Sequence, residues 1–147
     1  VQASEVLQLF EAQLKRRTEA EGIKLKVLCA PLAVREPGIS LRLLPRKVLP
    51  PPRTQAARTE DSRALVVALL LAARIDSDTA LRRFLSASEF LIDQSQDVRR
   101  LEDTQGNTIP NTRIVWTTSP EDAVFEDPAE DTVVWAREEW KATIFFT

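Results

Sequence analysis

The sequence predicts an α+β domain: a mostly antiparallel sheet with two helices packed on it and a long Pro-rich arm. Three observations predict it. Two stretches, 3–21 and 77–94, repeat apolar residues at helical spacing. Several others alternate or run apolar at strand length. The chain is 147 residues long, 44% hydrophobic and 29% charged, which is one ordinary domain with enough apolar material for a single core.

Taken in order, residues 3–21 place Val6, Phe10 and Leu14 one helical turn apart, widened by Leu7. Ser4 is the expected N-cap and Gly22 the expected C′ residue. Ile23–Ala30 then alternates, with Ile23, Leu25, Val27 and Cys29 on one face and Lys24 and Lys26 on the other. That pattern makes Cys29 a buried, inert thiol. Pro31, Pro37 and Gly38 mark a turn before a second strand, Ile39–Leu44. Pro45–Asp61 follows as an extended arm carrying Pro45, the run Pro50-Pro51-Pro52 and the cations Arg46, Lys47, Arg53 and Arg58. A stretch this long without regular structure reads as a functional arm or a solvated loop.

The apolar run Ala64–Ala73 suits a central strand covered on both faces. Asp76 or Ser77 caps a second helix reaching about Gln94. Its inward stripe is expected to be Leu81, Phe84, Leu85, Ser88, Leu91 and Ile92, with Arg82, Arg83, Glu89 and Asp93 facing water. Residues 95–111 are polar, with a tight turn at Gln105-Gly106-Asn107. Thr112–Thr118 alternates as a strand with Ile114 and Trp116 on its apolar side. Ser119–Asp131 is an acidic loop holding Glu121, Asp122, Glu126, Asp127, Glu130 and Asp131 with no base. Thr132–Phe146 closes the chain as one long strand, or two joined by a bulge near Glu138, the one charged member of its apolar face.

Composition removes several chemistries. With no histidine there is no His-based triad, His metal site or His pH switch. A single cysteine forms neither an internal disulfide nor a CxxC site. Three glycines build no phosphate-binding loop. The ten-residue apolar run is far below the ~20 residues of a spanning helix. The N-terminus lacks a signal pattern, so a soluble protein made in a cytoplasm is expected. The acidic loop has no ligand periodicity and reads as a charged surface rather than a cation site. Trp116 and Trp135 would suit base stacking, but the acidic final third argues against a phosphate backbone. No catalytic residue, cofactor or metal is expected, and the chain does not read as an enzyme.

Net charge is −2, yet it is split along the chain. Residues 1–100 hold 17 Lys and Arg against 12 Asp and Glu, and residues 101–147 hold 3 against 10. Opposite charge in two parts of one chain permits head-to-tail contact between copies.

The whole order resembles the tail-terminator family of long-tailed phages. A first helix ends at Gly22, and the strand Ile39–Leu44 leads into an arm with Pro50-Pro51-Pro52. Ala64–Ala73 precedes Asp76 and the helix with Leu81, Leu85 and Leu91. Arg113-Ile114-Val115-Trp116 precedes an acidic loop and a strand ending Ala142-Thr143-Ile144-Phe145-Phe146. The related caps of contractile tails share this order. The resemblance implies a non-enzymatic structural protein of the virion tail, present in the host cytoplasm during assembly. It implies a hexameric ring on the tail tube protein that stops tube growth and meets the head–tail connector, with DNA at most passing through the ring. Arg46, Lys47, Arg53 and Arg58 of one subunit are then expected to meet Glu121, Asp122, Glu126 or Asp127 of the next. The alternatives are a monomeric α+β domain that binds a ligand or nucleic acid, and a divalent-metal enzyme built on the acidic loop.

Overall fold

The structure is a computed structural model, described here for residues 2–29, 38–50, 62–117, 124–126 and 134–147. Its elements are helix α1 (Ala3–Ala20), strands β1 (Lys26–Cys29), β2 (Ile39–Leu49) and β3 (Arg63–Ile75), helix α2 (Asp78–Asp97), and strands β4 (Arg113–Trp116), β5 (Val124–Glu126) and β6 (Val134–Phe146). The strands form one six-stranded sheet in the order β1-β2-β3-β6-β4, with β5 also on β6. Every pairing is antiparallel except β1 with β2. The α+β fold, a mostly antiparallel sheet with two helices packed on it, is thus the one the periodicities require.

Residues alternate across β3, and that alternation decides where the core sits. Leu65, Val67, Leu69, Leu71 and Ala73 are buried and lie beside Leu41 and Leu43 of β2 and Ala136, Trp140, Ala142 and Ile144 of β6. Helix α1 adds Val6, Phe10 and Leu14 to this layer, and α2 adds Phe84, Ala87, Phe90 and Leu91. Each large side chain so buried contributes roughly 1.5–3 kcal/mol. The Phe10 ring lies 5.8 Å from that of Trp116, which ties α1 to β4.

Several local expectations change. Helix α1 starts at Ala3 as expected, but its N-cap is Gln2, two residues before Ser4, and makes no side-chain bond; Ala3 already packs against the core. Its C-terminus is as read. Gly22 has φ 67°, its N–H donates to the Glu19 carbonyl, and the Ile23 N–H donates to the Thr18 carbonyl. That closure occupies the Ile23 amide, so β1 begins only at Lys26. Cys29 does lie on the helix side of β1 but is exposed, because β1 is an edge strand.

Strand β2 does not stop at Leu44. It runs through Pro45 to Leu49, with a register shift between Pro45 and Lys47 that leaves Arg46 as the extra residue. Proline has no N–H to give a ladder, and a bulge is where a strand tolerates one. The first five residues of the expected arm are therefore strand, and positions 51–61 lie outside the described residues. β3 is the central strand, but one of its faces is only partly covered: Val66, Leu70, Ala72 and Arg74 are half-buried.

In α2 the Ser77 hydroxyl accepts from the Ala80 N–H, as its N-cap position predicts. The buried stripe, however, is Phe84, Ala87, Leu91 and Gln94 with Phe90, whereas Leu85 is 54% and Ile92 41% exposed. The helix is rotated from its expected setting because Phe90 takes a core position. β4 is shorter than 112–118, and the expected acidic loop contains the short strand β5. β6 carries no bulge: its pairing with β3 is unbroken from Ile75↔Val134 to Arg63↔Phe146. Glu138 points inward in good register, only 7% exposed, because the core supplies partners. Ser88 Oγ donates to its carboxylate at 2.9 and 3.0 Å, and Trp140 Nε1 donates at 2.6 Å.

Candidate interaction surface

With both helices on one side of the sheet, the alternation that fills the core fixes what the other side carries. On β6 the outward positions are Trp135, Arg137, Glu139, Lys141, Thr143 and Phe145. They lie beside Arg74, Leu70 and Val66 of β3 and Arg113 and Val115 of β4. On β2 the same face takes Arg42 and Lys47, and on β1 it takes Lys26. Its described acids by register are Glu126, opposite Trp135, and Glu139, which pairs at 3.5 Å with Arg46 at the bulge. Cations therefore outnumber acids on the outer sheet face, although Arg42 is only 5% exposed, and half-buried Trp135 and Phe145 lie among them. The excess of acid in the last third of the sequence does not describe this face of β6, because Glu138 has turned into the core.

At the β4 edge the basic surface continues into a groove of about 610 Å³. Arg99 and Arg100, just past the end of α2, line it with Ser95, Thr112, Arg113 and Val115. The backbone builds it: the Ile114 N–H donates to the Arg99 carbonyl at 2.8 Å, and Trp116 Nε1 donates to the Val98 carbonyl at 2.9 Å. Gln13, fully buried on α1, fixes the same segment. Its amide donates to the Arg100 carbonyl and its Oε1 accepts from the Glu102 N–H. The Arg113 guanidinium stacks 4.6 Å from the Phe145 ring centre. Arg99 Nε donates only to the Gln96 carbonyl, at 3.4 Å. Among the described residues no carboxylate pairs with Arg99, Arg100 or Arg113.

Two other polar clusters are self-contained. Asp103 Oδ1 accepts from the N–H groups of Gln105 and Asn107 at 2.9 Å, building the turn read at Gly106. The bond from Asn107 above all holds its carboxyl below the ordinary Asp range. On α1, Lys15 pairs with Glu11 at 2.9 Å. Burial, with Glu11 accepting from the thiol, pushes Cys29 up to about 12. Cys29 thus lies at the exposed edge of the sheet, but partial burial of its thiol first, and the Glu11 carboxylate second, keep it protonated and unreactive.

The expected interface residues fall in several places. Arg46 is the bulge residue engaged by Glu139, and Lys47 is exposed on the outer face opposite Val66. Glu126 ends β5 opposite Trp135. Arg53, Arg58, Glu121, Asp122 and Asp127 lie outside the described residues. Among the described residues none of the expected cations is joined to one of the expected acids. The arginine groove was missed in sequence because Arg99, Arg100 and Arg113 are separated by the 101–112 excursion. A bridge between Glu102 and Thr108 folds that excursion back.

Among the described residues no helix is long and apolar enough to cross a membrane, and no three acidic or thiol side chains cluster as a metal site requires. A scan against protein-family models finds no match to this chain, and a search of curated proteins finds none either.

Proposed function

We propose that this protein is a structural component of a long phage tail. In this reading it forms a six-membered ring on the end of the tail tube, terminates tube polymerisation and presents a surface to the head–tail connector. The observation that carries the reading is the segregation of charge. Cations predominate on the outer sheet face, where Glu126 and Glu139 are the described acids by register, while residues 119–131 hold six acids and no base. A ring needs two different patches that meet on neighbouring copies, and oppositely charged patches meet that need. The order of elements, which resembles that of tail terminators, supports the same reading. In this reading DNA at most passes through the ring, and the chain performs no catalysis.

The proposed contact sets Arg46, Lys47, Arg53 and Arg58 of one subunit against Glu121, Asp122, Glu126 and Asp127 of the next. Reversing Arg53 and Arg58 to Glu should weaken assembly in a salt-dependent way, and reversal of Glu121 and Asp122 to Lys should restore it. Sedimentation velocity reads both. Unchanged assembly with unchanged salt dependence would remove this contact.

A second reading, a monomeric nucleic-acid-binding domain, is favoured by the basic outer face with Trp135 and Phe145. Saturable, salt-sensitive binding of an oligonucleotide by the isolated monomer would support it.

A further inference from the structure

We infer that the flank of α2 bearing Leu81, Leu85, Ser88 and Ile92 is a docking surface for the same helix of a second copy of this chain, laid antiparallel. The contact goes beyond the ring reading and does not depend on it. Leu85 is 54% and Ile92 41% exposed, and Leu81 and Ser88 are half-buried. The four recur at i, i+4, i+7 and i+11, which sets them in one row along the helix at the spacing of a coiled-coil seam. That row looks away from α1. Arg83 and Ser86, on the opposite side of α2, line a pocket with Glu21–Lys24 at the end of α1. Ser88 is small and its hydroxyl is turned to Glu138, so the middle of the row is a hollow between Leu85 and Ile92.

Charge selects the occupant and its direction. The solvent side of the row carries Arg82 and Glu89, each one residue past a seam position and opposite in sign. The ion pair of Arg82 with Asp78, at 2.8 Å, is exposed at both ends and holds the arginine weakly. When two copies meet antiparallel about a two-fold axis, the same flank of each helix faces the other. Leu85 then seats against Ser88 of the second copy and Leu81 against its Ile92, while Arg82 of each copy falls beside Glu89 of the other. The symmetry makes every one of these contacts twice. A parallel pair would instead set Arg82 and Glu89 against the apolar flank of Phe84 and Leu91. A purely acidic or purely basic partner would answer only one of the two charges, whereas a second copy answers both.

Full-length variants test this by sedimentation equilibrium over a concentration series at low salt. Arg82→Glu alone sets like charges against each other on both sides of the axis and should weaken the pairing about three- to tenfold, as should Glu89→Arg alone. Arg82→Glu combined with Glu89→Arg restores opposite charges across the contact and should recover the native affinity. Leu85→Glu should weaken pairing at least about tenfold, because two leucines per dimer lose their seat. Where rings form, it should abolish the pairing of rings and leave the six-subunit species. A native chain that stays monomeric throughout overturns the contact. So does self-association that Leu85→Glu leaves unchanged, or a double reversal that stays as weak as the single ones. The ring is judged separately: reversal of Arg53 and Arg58 bears on the ring contact and should leave the α2 pairing intact.

Discussion

Replacing Ser88 with alanine should destabilise the domain far more than its place on a half-buried helix face suggests. Ser88 Oγ spans α2 to β6 and donates to both oxygens of Glu138, a carboxylate that is 7% exposed and otherwise held by Trp140 Nε1. A hydrogen bond to a charged group contributes about 1.5–3 kcal/mol net, and its loss here leaves a desolvated oxygen short of a partner. For a domain of this size that is a fall in Tm of about 5–10 °C. Glu138→Gln keeps an acceptor for one donor and should cost less, about 1 kcal/mol. The two substitutions share one bond, so their effects should fall short of additivity by at least ~0.5 kcal/mol. Urea unfolding followed by tryptophan fluorescence measures all three, with Trp140 beside the change. Were Ser88→Ala to cost under ~0.5 kcal/mol and add fully to Glu138→Gln, Glu138 would not be held inward. A bulge that turns it to solvent would then be the better description of β6.

Other consequences concern the helices and the polar clusters. Phe84→Ala should cost about 3–5 kcal/mol and Leu85→Ala within ±0.5, because α2 buries the first and exposes the second; thermal melts of the pair check the rotation of the helix. Glu11→Gln should raise the rate of iodoacetamide alkylation of Cys29 at pH 8.5 by roughly three- to tenfold, since the carboxylate that disfavours the thiolate is gone. Because the Cys29 value is raised, its contribution to stability is complete below the ordinary thiol range and is lost as pH climbs towards 12. Asp103 has the opposite sign: its lowered value means that the 103–107 turn is supported above the ordinary Asp range. That support fades as pH falls through the lowered value, and faster amide exchange at Gln105 and Asn107 in acid would report it.

The layer arrangement was legible because it rests on periodicity. Val6, Phe10 and Leu14 announce the face of α1, and the unbroken apolar run of β3 announces the strand at the centre. What sequence could not give were choices settled by tertiary partners. Glu138 breaks the apolar alternation of β6, and only the meeting of Ser88 and Trp140 across the core shows why it need not turn away. Pro45 looks like the end of a strand until Arg46 is seen to bulge and let the ladder resume. Leu85 and Phe90 compete for one helix face, and helical spacing alone does not choose between them. The charge split was visible, but not the outer face, whose basic character depends on which of Glu138 and Glu139 turns inward. Nor was the arginine groove, assembled by Gln13 and the 102–108 bridge from residues far apart in sequence.

The proposed role depends on copies of the chain closing into a ring. Native mass spectrometry of the full chain over a concentration series, at low and moderate salt, tests it most directly. A six-subunit species that grows with concentration and weakens with salt is the predicted result. A closed dimer persisting at every concentration would contradict it, because an isologous pair consumes the surfaces that a ring must offer to its next subunit.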